Sequence, residues 1–292
     1  NRLEKTISLH PMDRDYVYSR LPKSPSETSR SVFELELRAA EYYHMARKPE
    51  NEWLSIDALE EPLREFEHLC RAEAFDEAGK LIAKLDYGYL SKWGYLKKVI
   101  ACREQLVGKI SVKDSQIENL IYLGLHTHDC GQLTKARHYL QNAVALAREY
   151  TNGERLSEAL ELLGEVYVAQ GLFEIALAVN MESIDLARLQ NYEVGEGTTL
   201  GTIGSIHSVL GDFEKAVDAF KRAIAIENQH SFVRGECLDW SDMGGTYVLM
   251  GNFAQAHECC MKGLSLASEI KFEKGRMNAY QYLIIVYLPP NA

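Results

Sequence analysis

Between Leu120 and Ser268 one pattern of apolar, small and polar positions is written four times. In each copy a large apolar residue (Leu120, Leu160, Leu200, Trp240) stands four positions ahead of a glycine (Gly124, Gly164, Gly204, Gly244). A second glycine (Gly131, Gly171, Gly211, Gly251) comes seven residues later, and an alanine (Ala136, Ala176, Ala216, Ala256) five after that. The step is 40 residues every time, a register too strict for chance, so the repeat decides the architecture. In the second copy Leu160, Leu163, Tyr167 and Val168 share one helical face and Gly171 marks the stop. Phe173, Ala176, Leu177 and Ile184 then form the inner face of a returning helix. Each copy is therefore predicted to be a helical hairpin. A glycine in mid-helix costs about 1 kcal/mol relative to alanine. For Gly164 the expected compensation is close approach of the paired helix, with an alanine such as Ala176 opposite. One hairpin cannot bury its own apolar faces, so neighbours must stack into a superhelix. Segments 191–197, 230–236 and 271–276 share the same step and are expected as loops between hairpins.

The regions flanking the clean copies are less regular. Asn1 to Leu21 carries Leu3, Ile7 and Leu9, then Met12, Tyr16 and Val17 on one helical face, and reads as the tail of another domain. Pro22 to Ser26 is a breaker cluster, and Ser26 to Thr28 can cap the next helix. Ser31 to Arg47 places Phe33, Leu37, Ala40 and Tyr43 at helical spacing, and Pro49 ends the run. Ser55 to Cys70 with Phe75 to Leu85 is predicted to be a degenerate hairpin. Tyr87 to Val99 and a helix reaching Leu106 make an irregular pair. The expected division is a remnant and linker over 1–25, irregular helices over 26–113, four regular repeats over 114–277 and a truncated repeat or cap over 278–292. In that last piece Tyr280 and Tyr287 match Trp240 and Tyr247 before Pro289 and Pro290 stop the pattern. An apolar helix there is expected to leave an exposed patch that favours self-association.

Composition narrows the partners. With 32 basic against 42 acidic residues the formal charge is -10, which disfavours a broad phosphate-neutralising surface and hence nucleic acid. Six cysteines without even spacing read as reduced thiols, so a cytoplasmic protein is expected. No apolar run approaches the roughly 20 residues of a membrane span, so no membrane partner is expected. The first residue is Asn1 rather than Met, and the chain is expected to be a piece of something longer.

The bulky residue, large-Gly pair, tyrosine, glycine and alanine at these offsets resemble the tetratricopeptide repeat (TPR). Tyr167 and Tyr247 match the tyrosine of that family; Thr127 and His207 depart from it, and its closing proline is missing from every copy. The resemblance implies an all-α, right-handed superhelical solenoid of helical hairpins that acts as a binding module. The N-terminal order, LHPMDRDYVYSRLP, then LRAAEYYHMARKPENEW, then WGYLKKVIACREQL, followed by 40-residue repeats, is similar to the junction in bacterial signal-transducing ATPases of the STAND class. There a nucleotide-binding module ends in a winged helix and a TPR sensor follows. That likeness implies that 1–21 closes a winged helix and that an attached nucleotide-binding domain is a partner.

Candidate chemistry is sparse. No phosphate loop occurs, because Gly79-Lys80 and Gly108-Lys109 lack both the upstream glycine and the hydroxyl residue. His126, His128 and Cys130 lie at alternate helical positions, which point apart, so no metal is expected. Cys259 and Cys260 read as packed thiols, and Glu60, Glu61, Glu65 and Glu67 as a solvated face. No catalytic residue and no cofactor is expected. In TPR stacks the first helix of each unit lines the concave side, at positions flanking the repeat glycine. The resemblance places Glu161 and Glu165 there in the second copy, Gly201 and Ser205 in the third and Ser241 in the fourth. The Lys and Asn that co-chaperone TPRs use to grip a C-terminal carboxylate are missing from those positions. Glu158, Glu161 and Glu165 instead form an acidic stripe beside a small-residue floor (Thr198, Gly201, Ser205) and an apolar end (Leu238, Val248). The expected ligand is a peptide or protein segment bearing a basic residue, and the expected role is ligand sensing that controls the attached ATPase. A stand-alone TPR scaffold or peptide receptor without nucleotide control is the alternative.

Overall fold

In a computed structural model the described residues are 31–150 and 153–288, and they form thirteen α-helices with short 3₁₀ and π segments. The expectations for 1–30, including a cap at Ser26 to Thr28, and for Pro289 and Pro290 lie outside them. The chain divides into two compact units, Asn1–Asn119 and Leu120–Ala292.

In the first unit α1 (Val32–Ala46) begins with a capping box in which Ser31 accepts from the Glu34 N–H and the Glu34 carboxylate accepts from that of Ser31. A 3₁₀ turn, Ile56–Leu59, leads into α2 (Glu60–Arg71), which pairs with α3 (Phe75–Leu85). Phe66, Leu59, Ile82 and Leu85 are fully buried in this hairpin. A π segment, Asp86–Leu90, and α4 (Leu96–Glu104) replace the second irregular hairpin. There Arg103, 2% exposed, donates from Nε to Asp86 at 2.7 Å and from Nη1 to Asn119 at 3.3 Å.

The repeats form successive helix pairs: α5 (Lys113–Asp129) with α6 (Leu133–Glu149), α7 (Gly153–Ala169) with α8 (Phe173–Leu189), α9 (Glu193–Leu210) with α10 (Phe213–Gln229), and α11 (Val233–Leu249) with α12 (Phe253–Glu269). Helix α13 (Glu273–Tyr287) starts the next pair. The first helices α7, α9, α11 and α13 touch one another in succession and make the inner layer. Each hairpin turn is made by the second glycine, left-handed at φ 72 to 83° at Gly131, Gly171, Gly211 and Gly251.

Two expectations about glycines change. The repeat glycine first meets a residue other than the alanine: a Cβ at Gly124, Gly164, Gly204 or Gly244 would meet Leu140, Asn180, Phe220 or Cys260, always sixteen residues on, and at Gly244 the Ala256 carbonyl oxygen comes next. A missing side chain on one helix is filled by a large one from its partner, which keeps the packing dense. The segments expected as long loops are tight turns. They are led by Asn191, Ser231 and Lys271 at φ 54 to 56°, and the helix resumes two residues later. Gly195 and Gly275 therefore sit in the first helical turn, where the rings of Tyr192 and Phe272 fold over the helix start.

Candidate functional site

A cavity of about 450 Å³ opens on the inner layer of the second unit. Helix α5 contributes His128; α7 contributes Glu161 and Glu165; α9 contributes Thr198, Gly201, Thr202 and Ser205. Glu227 reaches in from α10, and Arg234, Leu238, Asp239 and Asp242 from α11. Five carboxyls thus converge on one space. His128 and Arg234 share the cavity, and the Arg234 guanidinium lies 5.3 Å from the Phe272 ring centroid.

Of the residues expected in the groove, Glu161, Glu165, Thr198, Gly201 and Ser205 are brought together. Glu158 stands just outside, paired with Arg155 at 3.0 Å, close enough for its charge to act on Glu161. Ser241 and Val248 are not in the groove, and that expectation is corrected. Ser241 is fully buried, donates to the Cys237 carbonyl at 2.8 Å and packs under Gly263 of α12. Val248 joins the core around Phe220, Met243 and Tyr247. Both turn toward returning helices because the inner layer in that copy is already occupied: at the neighbouring Gly245 the Tyr282 ring of α13 fills the open face. Gly201 behaves likewise, since a Cβ there would lie 2.3 Å from Asp239 Oδ1. The small-residue floor seats a carboxylate of the next repeat.

Electrostatics follow from this crowding. Burial pushes Glu161 up to about 8, with Glu165 adding to the rise and the Thr198 hydroxyl opposing it. Burial raises Glu165 as well, against the pull of Lys274 and His128. Lys274, from α13, also reaches Asp129 at the end of α5 across 3.4 Å. Asp242 rises to about 6 by burial although Asn278 and Tyr282 donate to it. Glu227, 1% exposed, is pushed to about 8 by burial. Asp239, 7% exposed, is held well above the usual carboxylate range by burial first and by Glu227 second. Glu227 Oε2 and Asp239 Oδ2 have no donor among the described groups. Each of the two carboxyls acts on the protonation of the other.

Glu227, Asp239 and Asp242 were not singled out from the sequence, yet the signal was present. Glu227 stands where the other copies have Ala147, Ala187 and Ala267, all fully buried. Asp239 stands where they have Asn119, Ala159 and Thr199, buried as well. Acids at two positions that are otherwise small or neutral, and buried, mark the departure.

Residues 116–189 and 198–230 match tetratricopeptide repeats. The chain carries TPRs. TPRs are protein–protein interaction modules and are typically non-enzymatic, and that general role is what these repeats imply. No curated protein sequence matches the chain. Among solved structures, a Rap protein complexed with Competence and Sporulation Factor superposes with a TM-score of 0.58 at 16% identity, over 87% of this chain and 85% of that one. A STAND protein with a tetratricopeptide repeat sensor from Pyrococcus horikoshii gives 0.55 at 16%, over 96% of this TPR chain and 46% of the other. A TPR protein from Thermus thermophilus gives 0.55 at 19%, over 70% and 99%. These likenesses establish the TPR solenoid. Among the described residues no helix is long and apolar enough to cross a membrane, and no group of three or more His, Cys, Asp or Glu is arranged to hold a metal.

Proposed function

We propose that this TPR unit is a sensor whose inner groove binds a peptide or protein segment through a basic residue, and that it controls an attached nucleotide-binding ATPase module. The observation that carries the binding half is the convergence of five carboxyls on one cavity of the inner layer whose lining holds one arginine and one histidine. A basic side chain is the complement such a site selects, by charge and by the neutral partners it rejects. The Rap neighbour is solved in complex with Competence and Sporulation Factor, and the Pyrococcus neighbour is a signal-transduction ATPase with a TPR sensor; both support the reading by likeness of fold. The control half rests on the order of segments before the repeats, which resembles the STAND junction. A stand-alone receptor is the second reading, supported by likeness of fold to the Rap and Thermus proteins.

Selection of a displayed random-peptide library on the whole chain tests the groove. Enriched peptides are expected to share a basic residue and to lose binding to the Glu161→Lys, Glu165→Lys variant. Enrichment indifferent to that charge reversal refutes the groove. The coding sequence upstream of Asn1 tests the attachment: a phosphate loop supports it, and a start codon adjoining Asn1 favours the receptor.

A further inference from the structure

Glu161 and Glu165 are partly open to the cavity, as the walls of a groove should be. Glu227 and Asp239 are different: both line the same cavity, yet both are more than nine-tenths buried and each keeps one oxygen without a donor. Their seats are built by glycines. Asp239 lies against Gly201, and a Cβ on Gly235 would lie 1.9 Å from Glu227 Oε1. Any other residue at either glycine would drive the carboxyls out. Burying two acids side by side costs stability wherever either is ionised, and the equivalent positions of the other copies avoid that cost with alanine, threonine or asparagine.

We propose that the Glu227–Asp239 pair is the anchoring subsite of the groove, taking a single cationic head group, a guanidinium or an alkylammonium, between its two carboxyls. This rests on the groove reading above. In the empty site the pair holds a proton; when the cation enters, that proton leaves to solvent and the carboxylates pair with the incoming N–H donors. The groups facing the pair are acidic as well and raise its affinity for a proton: Glu161 from α7, and Glu236 and Asp242 from α11. Glu236 is itself satisfied by Asn228 at 3.2 Å and Trp240 at 3.2 Å, so it does not compete for the ligand. Of the basic groups nearby, Lys274 and His128 act on Glu165, Lys274 also reaches Asp129 at 3.4 Å, and the Arg234 guanidinium lies 5.3 Å from the Phe272 ring centroid.

Isothermal titration of the whole chain tests this with four probes: acetyl-Ala-Arg-Ala amide, its lysine and citrulline counterparts, and spermidine. The arginine or lysine peptide is expected to bind at least about tenfold more tightly than the neutral citrulline peptide. Its enthalpy near neutral pH is expected to change between phosphate and Tris buffers, because a proton is released. Glu227→Gln and Asp239→Asn keep the shape of the pair and its buried contacts; each should weaken binding about tenfold and remove the buffer dependence. Spermidine binding that both variants abolish supports the subsite with a free amine as the source. Equal affinity for the citrulline peptide overturns the proposal, as does binding that both variants leave intact, or failure of all cationic probes at millimolar concentration. The library selection judges the groove independently. Selected peptides that depend on Glu161 and Glu165 but not on Glu227 or Asp239 would remove the subsite and leave the groove standing.

Discussion

At Gly244 the partner helix comes close with backbone as well as side-chain atoms, and replacing this glycine with alanine tests how the repeats are held. A Cβ there would sit 2.4 Å from Cys260 Sγ, 3.1 Å from the Ala256 carbonyl oxygen and 3.2 Å from the Cys260 nitrogen. The thiol can be moved aside; the two backbone atoms belong to α12 and move only if the hairpin opens. Alanine gains about 1 kcal/mol of helix propensity over glycine, while an added methyl in a filled core costs about 1–3 kcal/mol. Gly244→Ala is therefore expected to lose about 1–2 kcal/mol net. Gly88→Ala supplies the control, because no atom lies within 4 Å of its Cβ position and the propensity gain is unopposed. Adding Cys260→Ala removes the 2.4 Å clash, and the double variant is expected to recover about 1 kcal/mol relative to the sum of the singles. Repeat arrays depart from all-or-none unfolding, so urea titration is best paired with hydrogen exchange read separately on α11 and α12. Faster exchange confined to those helices is the expected signature. A Gly244→Ala chain as stable as the parent, with unchanged exchange there and no coupling to Cys260, refutes the close-approach account.

The other two perturbations address buried charge. Glu227 titrates near its usual 4.5 when unfolded and at about 8 when folded. Because the folded value is the higher one, the stability it contributes is fully present below 4.5 and is lost as pH rises through about 8. At about 1.4 kcal/mol per pKa unit this is a loss of a few kcal/mol. Urea unfolding between about pH 5 and 8.5 should show that decline in the parent chain and a flatter profile in Asp239→Asn; a flat parent profile rejects the shared-proton pair. In the first unit, Arg103→Ala removes the guanidinium that donates to Asp86, 1% exposed, and is expected to cost about 3–5 kcal/mol by urea titration. Arg103→Ala with Asp86→Ala should cost less than Arg103→Ala alone, and a larger loss in the double variant would contradict a buried ion pair.

What the sequence made legible, and what it hid, follows from which interactions are periodic. The hairpins were readable because the residues that define them recur every 40 positions and act within one repeat: Leu160 with Leu163 on a face, Gly171 at a left-handed turn. Glu161, Glu165 and Thr198 were legible as groove residues because they project from first helices at known offsets. Ser241 and Val248 occupy related offsets and yet are packed away. Their fate is set by the next repeat, where Tyr282 takes the space that Gly245 vacates, and periodicity within one copy carries no information about that.

The departures from the pattern are therefore coupled across neighbouring copies rather than scattered. Gly201 replaces the acid Glu161 of the preceding copy, and Asp239, one repeat on, moves into the room it leaves. Gly235 keeps the step of Gly195 and Gly275, and the departure there is Glu227, which lies against it in place of the alanine of the sister copies. Gly245 and Tyr282 repeat the arrangement at the next interface with an aromatic ring in place of a carboxyl. Each exchange takes a side chain from one helix and adds a larger one from its neighbour, so volume is conserved while chemistry changes. Only where the incoming groups are acids, at Glu227 and Asp239, does the exchange bury charge, and a fold that needed only volume would have filled that space with the alanine or threonine of its sister repeats. That excess over what packing requires is the physical reason to look for function at that interface rather than along the whole acidic stripe.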